Sequence, residues 1–179
     1  MRLFIAITFN DILKKKIYGL EMEMKKYADR GNFTSINNLH LTLAFLGEVP
    51  QNQLRFVTDA MKASEGQGCF PLRFTEFGKF NNRGENLYWI GAQHHPLLLS
   101  LQTTLIEALK KAGFSPDEKI FKPHVTLVRR CVMSKAFNED ILKKNLPEME
   151  MAVDTIHLMK SERIRGELTY TRLAAVKLY

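Results

Sequence analysis

Two tetrads decide the fold of this chain: His40-Leu41-Thr42-Leu43 and His124-Val125-Thr126-Leu127. They lie in apolar stretches, HLTLAFL at 40–46 and KPHVTLVRR at 122–130, whose composition indicates β-strands. Each stretch also follows a long amphipathic helical pattern. The paired occurrence of helix, strand and His-x-Thr-Leu predicts an internal duplication, in which two lobes face each other across a cleft.

Strand alternation predicts one polar and one apolar face for each tetrad. Successive side chains of a strand point to opposite sides of its sheet, so the histidine and threonine of a tetrad share a face. The apolar residues between them, and Phe45 in the first stretch, are expected on the opposite face. Two imidazoles and two hydroxyls would then line one cleft.

The remaining apolar patterns indicate strands and helices in the order βαβαββαβαββ, which predicts an α+β class of mostly antiparallel sheet with outer helices. We expect one domain over residues 1–179, with the divide between its two repeats near residue 93. The strands outside the tetrads are predicted near Arg2–Thr8, Phe70–Phe77, Leu87–Ala92, Met149–Lys160 and Thr169–Leu178.

Composition is that of a soluble globular protein. The 179 residues carry 26 Lys+Arg against 19 Asp+Glu, and this formal charge of +7 favours a polyanionic partner. No apolar run approaches the roughly 20 residues that span a bilayer, and no signal-peptide pattern is present. Cys69 and Cys131 are expected to be reduced and partly buried. We therefore expect a cytoplasmic monomer without membrane association.

The tetrads suit phosphodiester cleavage without a cofactor or metal. Histidine titrates near ~6.5, so around neutral pH one imidazole can accept a proton from attacking water while the other protonates the departing oxygen. Thr42 and Thr126 can donate hydrogen bonds to the non-bridging phosphate oxygens. No Cys/His spacing resembles a zinc ligand set.

The other histidines lack this context. His94 and His95 precede Pro96 at a strand-to-helix turn and are expected to be solvated. His157 lies in a late strand without a threonine partner. A single His-x-Thr is common in strands, so the functional prediction depends on the pair.

The chain resembles the 2H phosphoesterases, specifically the RNA 2′,3′-cyclic phosphodiesterases, also called 2′-5′ RNA ligases. The resemblance covers essentially the whole chain, in order. The matching segments are RLFIAI, NLHLTLAFLGEV, FNNRGENLYWIGA, FKPHVTLVRR and LMKSERIRGELTYTRLAAVKL.

This resemblance implies a bilobal fold and an RNA end carrying a 2′,3′-cyclic phosphate as substrate. It implies His40 as proton donor, His124 as proton acceptor and a 2′-phosphomonoester product, with weak ATP-independent 2′-5′ ligation of RNA. The residues alone do not distinguish donor from acceptor, because the two motifs are nearly equivalent.

The family resemblance and strand alternation differ on which arginine faces the cleft. The resemblance implies a substrate-binding arginine five positions after the second histidine, at Arg129, whereas strict alternation puts Arg130 on the catalytic face. A strand that ends or bulges after Val128 would reconcile them, and we favour Arg129. If neither holds, both arginines are solvated at the rim.

Aromatic side chains near the tetrads suggest a contact with a base. Phe45, with Tyr88 and Trp89, is a candidate base-stacking surface, although a core position is favoured for Phe45 and Trp89.

Two further functions are compatible with the sequence. The chain could be a non-catalytic module that binds RNA ends or nucleotides, although such a module would not need both imidazoles. It could also be a 2H phosphodiesterase acting on 2′-5′ oligonucleotides, because the tetrads recognise the phosphodiester and not what is attached to it.

Overall fold

The computed structural model describes residues 1–117 and 120–179 and contains nine strands and four α-helices within those ranges. In chain order they are β1 (Arg2–Thr8), α1 (Asp11–Lys25), β2 (Ala28–Phe33), β3 (His40–Glu48), α2 (Leu54–Met61), β4 (Phe70–Asn82), β5 (Glu85–Ala92), α3 (Pro96–Lys111), β6 (His124–Met133), α4 (Glu139–Lys144), β7 (Met149–Val153), β8 (Thr155–Ile164) and β9 (Glu167–Lys177).

The strands form two antiparallel sheets. One has four strands in the order β3-β1-β8-β9, and the other has five in the order β2-β6-β5-β4-β7. The tetrad strands β3 and β6 therefore belong to different sheets. This arrangement confirms the α+β class and the mostly antiparallel pairing.

The two sheets share an internal relationship. In the first, β1 leads through α1 and the edge strand β2 to β3 and pairs with it, and in the second β5 leads through α3 to its partner β6. Each sheet nevertheless takes strands from both sides of residue 93, because β8 pairs with β1 and carries β9 on its other side, while β2 pairs with β6. The internal duplication stays a prediction, and the sheets themselves do not divide at that residue.

The helices cover the sheets with the leucine-rich stripes that helical periodicity predicts. On α1 the buried stripe is Leu13, Ile17, Leu20 and Met24, and on α3 it is Leu98, Leu101, Leu105 and Leu109. Asn10 caps α1, its side chain accepting a hydrogen bond from the Leu13 amide. Both stripes enter one continuous core with the inner faces of the two sheets.

One predicted strand was wrong in detail, and one strand was not predicted. The stretch predicted as one strand from Met149 to Lys160 is two strands that break at Asp154 and enter different sheets. The strand β2 was missed because ADRGNF has no apolar alternation. Most of its side chains are exposed, and its backbone pairs with β6 at the sheet edge.

Both cysteines are free, but only Cys131 is buried, whereas Cys69 is exposed. Among the helices within the described ranges, none has the length and apolar character needed to cross a membrane.

Candidate active site

The two tetrads line one open cavity of about 640 Å³ between the sheets. His40 and Thr42 reach it from β3, and His124 and Thr126 reach it from β6. Leu41, the apolar residue between the first pair, is fully buried on the opposite face. The predicted convergence of two imidazoles and two hydroxyls is what the fold produces.

Each catalytic candidate histidine is held by the same hydrogen bond. The Nδ1 of His40 lies 2.6 Å from the carbonyl oxygen of Asn38, and the Nδ1 of His124 lies 2.6 Å from that of Lys122. A carbonyl oxygen can only accept, so Nδ1 must carry the proton in both rings. In its neutral form each imidazole therefore has a proton-accepting Nε2.

The threonines differ in their partners. Thr42 Oγ1 lies 3.0 Å from Nε2 of His40, so its hydroxyl donates to the neutral imidazole and accepts from the charged one. Thr126 Oγ1 instead accepts a long 3.5 Å hydrogen bond from Nη2 of Arg129. One hydroxyl is thus bonded to a titratable imidazole and the other to a permanent positive charge.

The surroundings of both imidazoles favour their neutral forms. Burial lowers the pKa of His40 below its ordinary value of 6.5, the hydrogen bond to Asn38 opposes this, and the charges of Arg129 and His124 lower the pKa further. The pKa of His124 is lowered mainly by burial and also by Arg129, against the effect of its bond to Lys122. A proton on either ring is therefore best stabilised when a negatively charged group enters the cleft.

Aromatic rings fix the position of both imidazoles. The ring of Phe4 lies 4.9 Å from that of His40, and Tyr170 packs edge-on against His40 at 5.2 Å. Phe80 packs edge-on against His124 at 5.8 Å. These contacts, with the Nδ1 hydrogen bonds, leave Nε2 as the proton-exchanging end of each ring, next to Thr42 Oγ1 in the case of His40.

The structure brings Arg129 into the cleft and leaves Arg130 out of its lining. Leu127 and Val128 are both fully buried, so alternation is broken at that pair, one step before the position predicted for a bulge. Arg130 then adopts a left-handed backbone with φ of 51°, at a second irregularity between β6 and β5. Arg129 consequently shares the face of Thr126, as the resemblance implies.

The expected orientation of Phe45 was wrong. The pairing of β1 with β3 is irregular between Ile5 and Ala6, and Phe4, which contacts His40, lies opposite Phe45. Opposed residues of an antiparallel pair share a face, so Phe45 lies on the cleft side of the sheet and not in the core. The residue is 36% exposed, its ring packs under the guanidinium of Arg2, and it is not among the residues that line the cavity.

The other two stacking candidates separate. Tyr88 is buried in the core, where it stacks on Phe77. Trp89 is half-buried on the same sheet face as Thr126, its partner across the strands. Trp89, unlike Tyr88, is near His124, with 6.2 Å between the ring centroids.

Two of the remaining three histidines have structural partners. His157 is buried and its Nδ1 lies 3.0 Å from Thr8 Oγ1, while burial and then Arg172 lower its pKa to about 4. His95, expected to be solvated, instead caps α3, its Nδ1 accepting from the Leu97 amide. His94 is exposed, as predicted.

Sequence reasoning missed several residues that line the cavity. Asn38 supplies the carbonyl for His40, and its side-chain amide donates to the Leu168 carbonyl at 2.8 Å, which ties β9 to the tetrad strand. Tyr170 and Arg163 reach the cavity from the β8–β9 hairpin. Alternation along β9, in which Leu168 and Tyr170 share a face, was the available signal, but it does not reveal that this hairpin joins the sheet of β3.

No group of three His, Cys, Asp or Glu side chains suited to hold a metal ion occurs within residues 1–117 and 120–179.

Solved structures share this architecture. E. coli LigT without ligand superposes with a TM-score of 0.80 at 25% identity, covering 98% of this chain and 96% of that chain. E. coli LigT in complex with 3′-AMP also gives 0.80, at 27% identity and with 99% and 97% coverage. The chain therefore has the LigT-like phosphoesterase fold.

Sequence comparison identifies the family. The profile of the 2′-5′ RNA ligase superfamily matches residues 23–165, and the chain belongs to that superfamily. The RNA 2′,3′-cyclic phosphodiesterase of Archaeoglobus fulgidus is 33% identical over 164 residues, which is 90% of this chain and 91% of the relative. That of Thermotoga maritima is 30% identical over 163 residues, or 90% and 87%. The resemblance seen in the sequence is confirmed at the level of the family.

Proposed function

We propose that this chain hydrolyses 2′,3′-cyclic phosphates at RNA ends to 2′-phosphomonoesters, with His40 as proton donor, His124 as proton acceptor and no metal ion. The observation that carries the proposal is the matched pair of imidazoles, each with Nδ1 held by a backbone carbonyl and Nε2 on the side of one shared cavity. The names of the relatives support the substrate class.

The reaction needs one proton accepted and one donated. Water loses a proton to Nε2 of His124 as its oxygen bonds to phosphorus, and the bond from phosphorus to the ribose O3′ breaks. O3′ takes a proton from Nε2 of His40, leaving a 2′-phosphate and a free 3′-hydroxyl. Because the two imidazoles end in opposite protonation states, they must be reset before the next turnover.

Substrate charge prepares the donor. Burial among Phe4 and Tyr170 favours neutral His40 in the free protein, so the negative charge of the bound phosphate must restore its proton. In this proposal Arg129 binds a non-bridging oxygen, and Thr42 and Thr126 donate hydrogen bonds to the two non-bridging oxygens of the phosphate. Arg130 is outside this set.

Ligation follows from the same chemistry with another nucleophile. If a 5′-hydroxyl replaces water, the product is a 2′-5′ phosphodiester, formed without ATP because the cyclic phosphate supplies the reactive bond. The proposal also includes Phe45 as a stacking surface at the far end of the cleft face, an RNA end as partner, a monomeric state and a cytoplasmic location.

The test is product analysis with an RNA oligonucleotide that ends in a 2′,3′-cyclic phosphate. We expect conversion to a 2′-phosphate end, identified by phosphorus NMR against 2′- and 3′-nucleotide standards. Binding of the RNA by folded protein without turnover would instead establish a non-catalytic binding module. A 3′-phosphate product would mean that O2′ and not O3′ is the leaving oxygen.

A further inference from the structure

A second chamber adjoins the cleft at His124. It encloses about 310 Å³, at the lower limit of the ~300–1,000 Å³ typical of small-molecule sites. Among the described residues, His124 is the single member common to the linings of the chamber and the main cavity. The chamber is therefore connected to the reaction centre through the proposed proton acceptor.

The chamber walls are aromatic and aliphatic. Phe80, Trp89 and Phe121 contribute rings, and Leu99 of α3 lies among the residues that complete the lining. The indole is held against the backbone of the neighbouring strand, since a Cβ on Gly78 would lie 2.6 Å from its Cη2 atom. Rigid aromatic walls of this kind suit stacking of a flat ring.

The few polar groups of the chamber include both an acceptor and a positive charge. The carboxylate of Glu76 can accept a hydrogen bond from an N–H of a nucleobase, and the exposed His94 offers a further polar contact. The Nζ of Lys122 lies 6.0 Å from the centre of the Phe80 ring and can attract a phosphate. Flat apolar walls with a few polar groups are the features of a nucleobase site.

The geometry of displacement at phosphorus decides which of the two nucleosides would place its base in the chamber. In a displacement at phosphorus the entering and leaving oxygens lie roughly in line on opposite sides. If His40 serves the ribose O3′, the terminal nucleoside occupies the large cavity on that side, and the group served by His124 extends the other way. Water requires no chamber there, whereas a nucleoside 5′-oxygen brings a sugar and base with it.

We propose that this chamber binds the base of the nucleotide that is joined to the reacting phosphate through its 5′ oxygen. The inference rests on the proposed function and specifies its second substrate: a 5′-hydroxyl nucleoside or RNA end in ligation, and a 2′-5′-linked dinucleotide in cleavage. In ligation O5′ loses its proton to His124 and bonds to phosphorus, the bond to O3′ breaks, and O3′ takes the proton of His40. Cleavage is the reverse, so no co-reactant is needed.

A kinetic comparison of two substrates tests the chamber. 2′,3′-cyclic AMP lacks the second nucleoside, and adenylyl-2′-5′-adenosine has it. We expect Phe121→Ala and Leu99→Glu to lower kcat/KM for the dinucleotide by about fivefold or more, as loss of one stacked base should. Hydrolysis of 2′,3′-cyclic AMP should change by less than about twofold. Ser100→Glu is the matched control, because it adds the same charge at an exposed neighbouring position of α3.

Direct binding provides a readout that is independent of turnover. The chain has a single tryptophan, Trp89, which lines the chamber, so its fluorescence reports on occupancy. Adenosine should change this fluorescence saturably in the wild type and in Ser100→Glu. In Leu99→Glu and Phe121→Ala the affinity for adenosine should be at least about fivefold lower.

The outcomes are distinguishable. Equal losses on both substrates would make the chamber a mere support for His124, and unchanged dinucleotide kinetics would place the second base elsewhere; either result overturns the inference. Failure of the wild type to hydrolyse 2′,3′-cyclic AMP would refute the proposed function. In that case the fluorescence titration alone decides whether the chamber binds a base.

Discussion

Replacing Glu21 with glutamine should stabilise the protein at neutral pH. Glu21 lies on α1 and is fully buried, and both of its carboxyl oxygens lack a hydrogen-bond partner among the described residues. Burial raises the pKa of this carboxyl from 4.5 to about 9. The folded protein therefore holds Glu21 protonated at pH 7, whereas the unfolded chain ionises it.

The size of the effect follows from this difference. A carboxyl whose pKa is raised by folding gives its full contribution to stability below pH 4.5, and the contribution is lost as the pH rises toward about 9. The interval from 4.5 to pH 7 is 2.5 pH units, and at about 1.4 kcal/mol each it amounts to ~3 kcal/mol. Glutamine has a similar shape and carries no proton cost.

The measurement is chemical unfolding of wild type and Glu21→Gln between about pH 4 and pH 8. The two should be similar near pH 4 and diverge by up to ~1.4 kcal/mol per pH unit above it, reaching ~3 kcal/mol at pH 7. Glu23→Gln, on the same helix but 62% exposed, is the control and should show no such divergence. An equal free-energy difference at both ends of the pH range would refute the reasoning, because it would show that Glu21 takes up no proton on folding.

Four predictions concern the cleft. His40→Ala and His124→Ala should each lower the turnover of a 2′,3′-cyclic nucleotide by roughly 10²–10⁴-fold in folded protein, as checked by circular dichroism, and near-wild-type rates would contradict the mechanism. Arg129→Gln should lower kcat/KM by roughly 10–100-fold through loss of a charged hydrogen bond to phosphate, whereas Arg130→Gln should stay within a few-fold; the reverse order would show that the bulge assignment is wrong. Exhaustive chelation should leave hydrolysis unchanged, and restoration of a lost rate by a divalent ion would disprove metal independence. Burial and Arg129 lower the pKa of both histidines, so the bell-shaped profile of kcat/KM against pH should be centred below about pH 6.5. In Arg129→Gln the profile should move to higher pH. A flat wild-type profile from about pH 5 to 9 would exclude the two-histidine mechanism.

Much of the site was predictable because its chemistry is local in sequence. A histidine and a threonine two residues apart in a strand share a face, so each tetrad could be predicted as a unit without knowledge of the sheet order. The stripes of α1 and α3 were equally local, because helical periodicity alone shows which side of a helix is apolar. The carbonyl contacts that orient His40 and His124 also come from residues only two positions away.

Residues beyond an irregularity were not predictable in this way. The faces of Phe45 and Arg129 depend on where the pairing with a neighbouring strand slips by one residue. One extra residue moves every later side chain of the strand to the opposite face of the sheet. The position of that extra residue is decided by the packing of both strands. Strict alternation accordingly put Phe45 on the wrong face and favoured Arg130 over Arg129.

The sequence by itself determined the α+β class, the two tetrads and the chemistry available to them, because residue type and short-range periodicity carry that information. Only the tertiary structure decided that Tyr170 and Arg163 line the cleft, that His95 caps a helix, and that an aromatic chamber lies beside His124. These features depend on contacts between residues far apart in the chain. Such contacts are selected by the packing of whole sheets and helices, and no short stretch of sequence contains them.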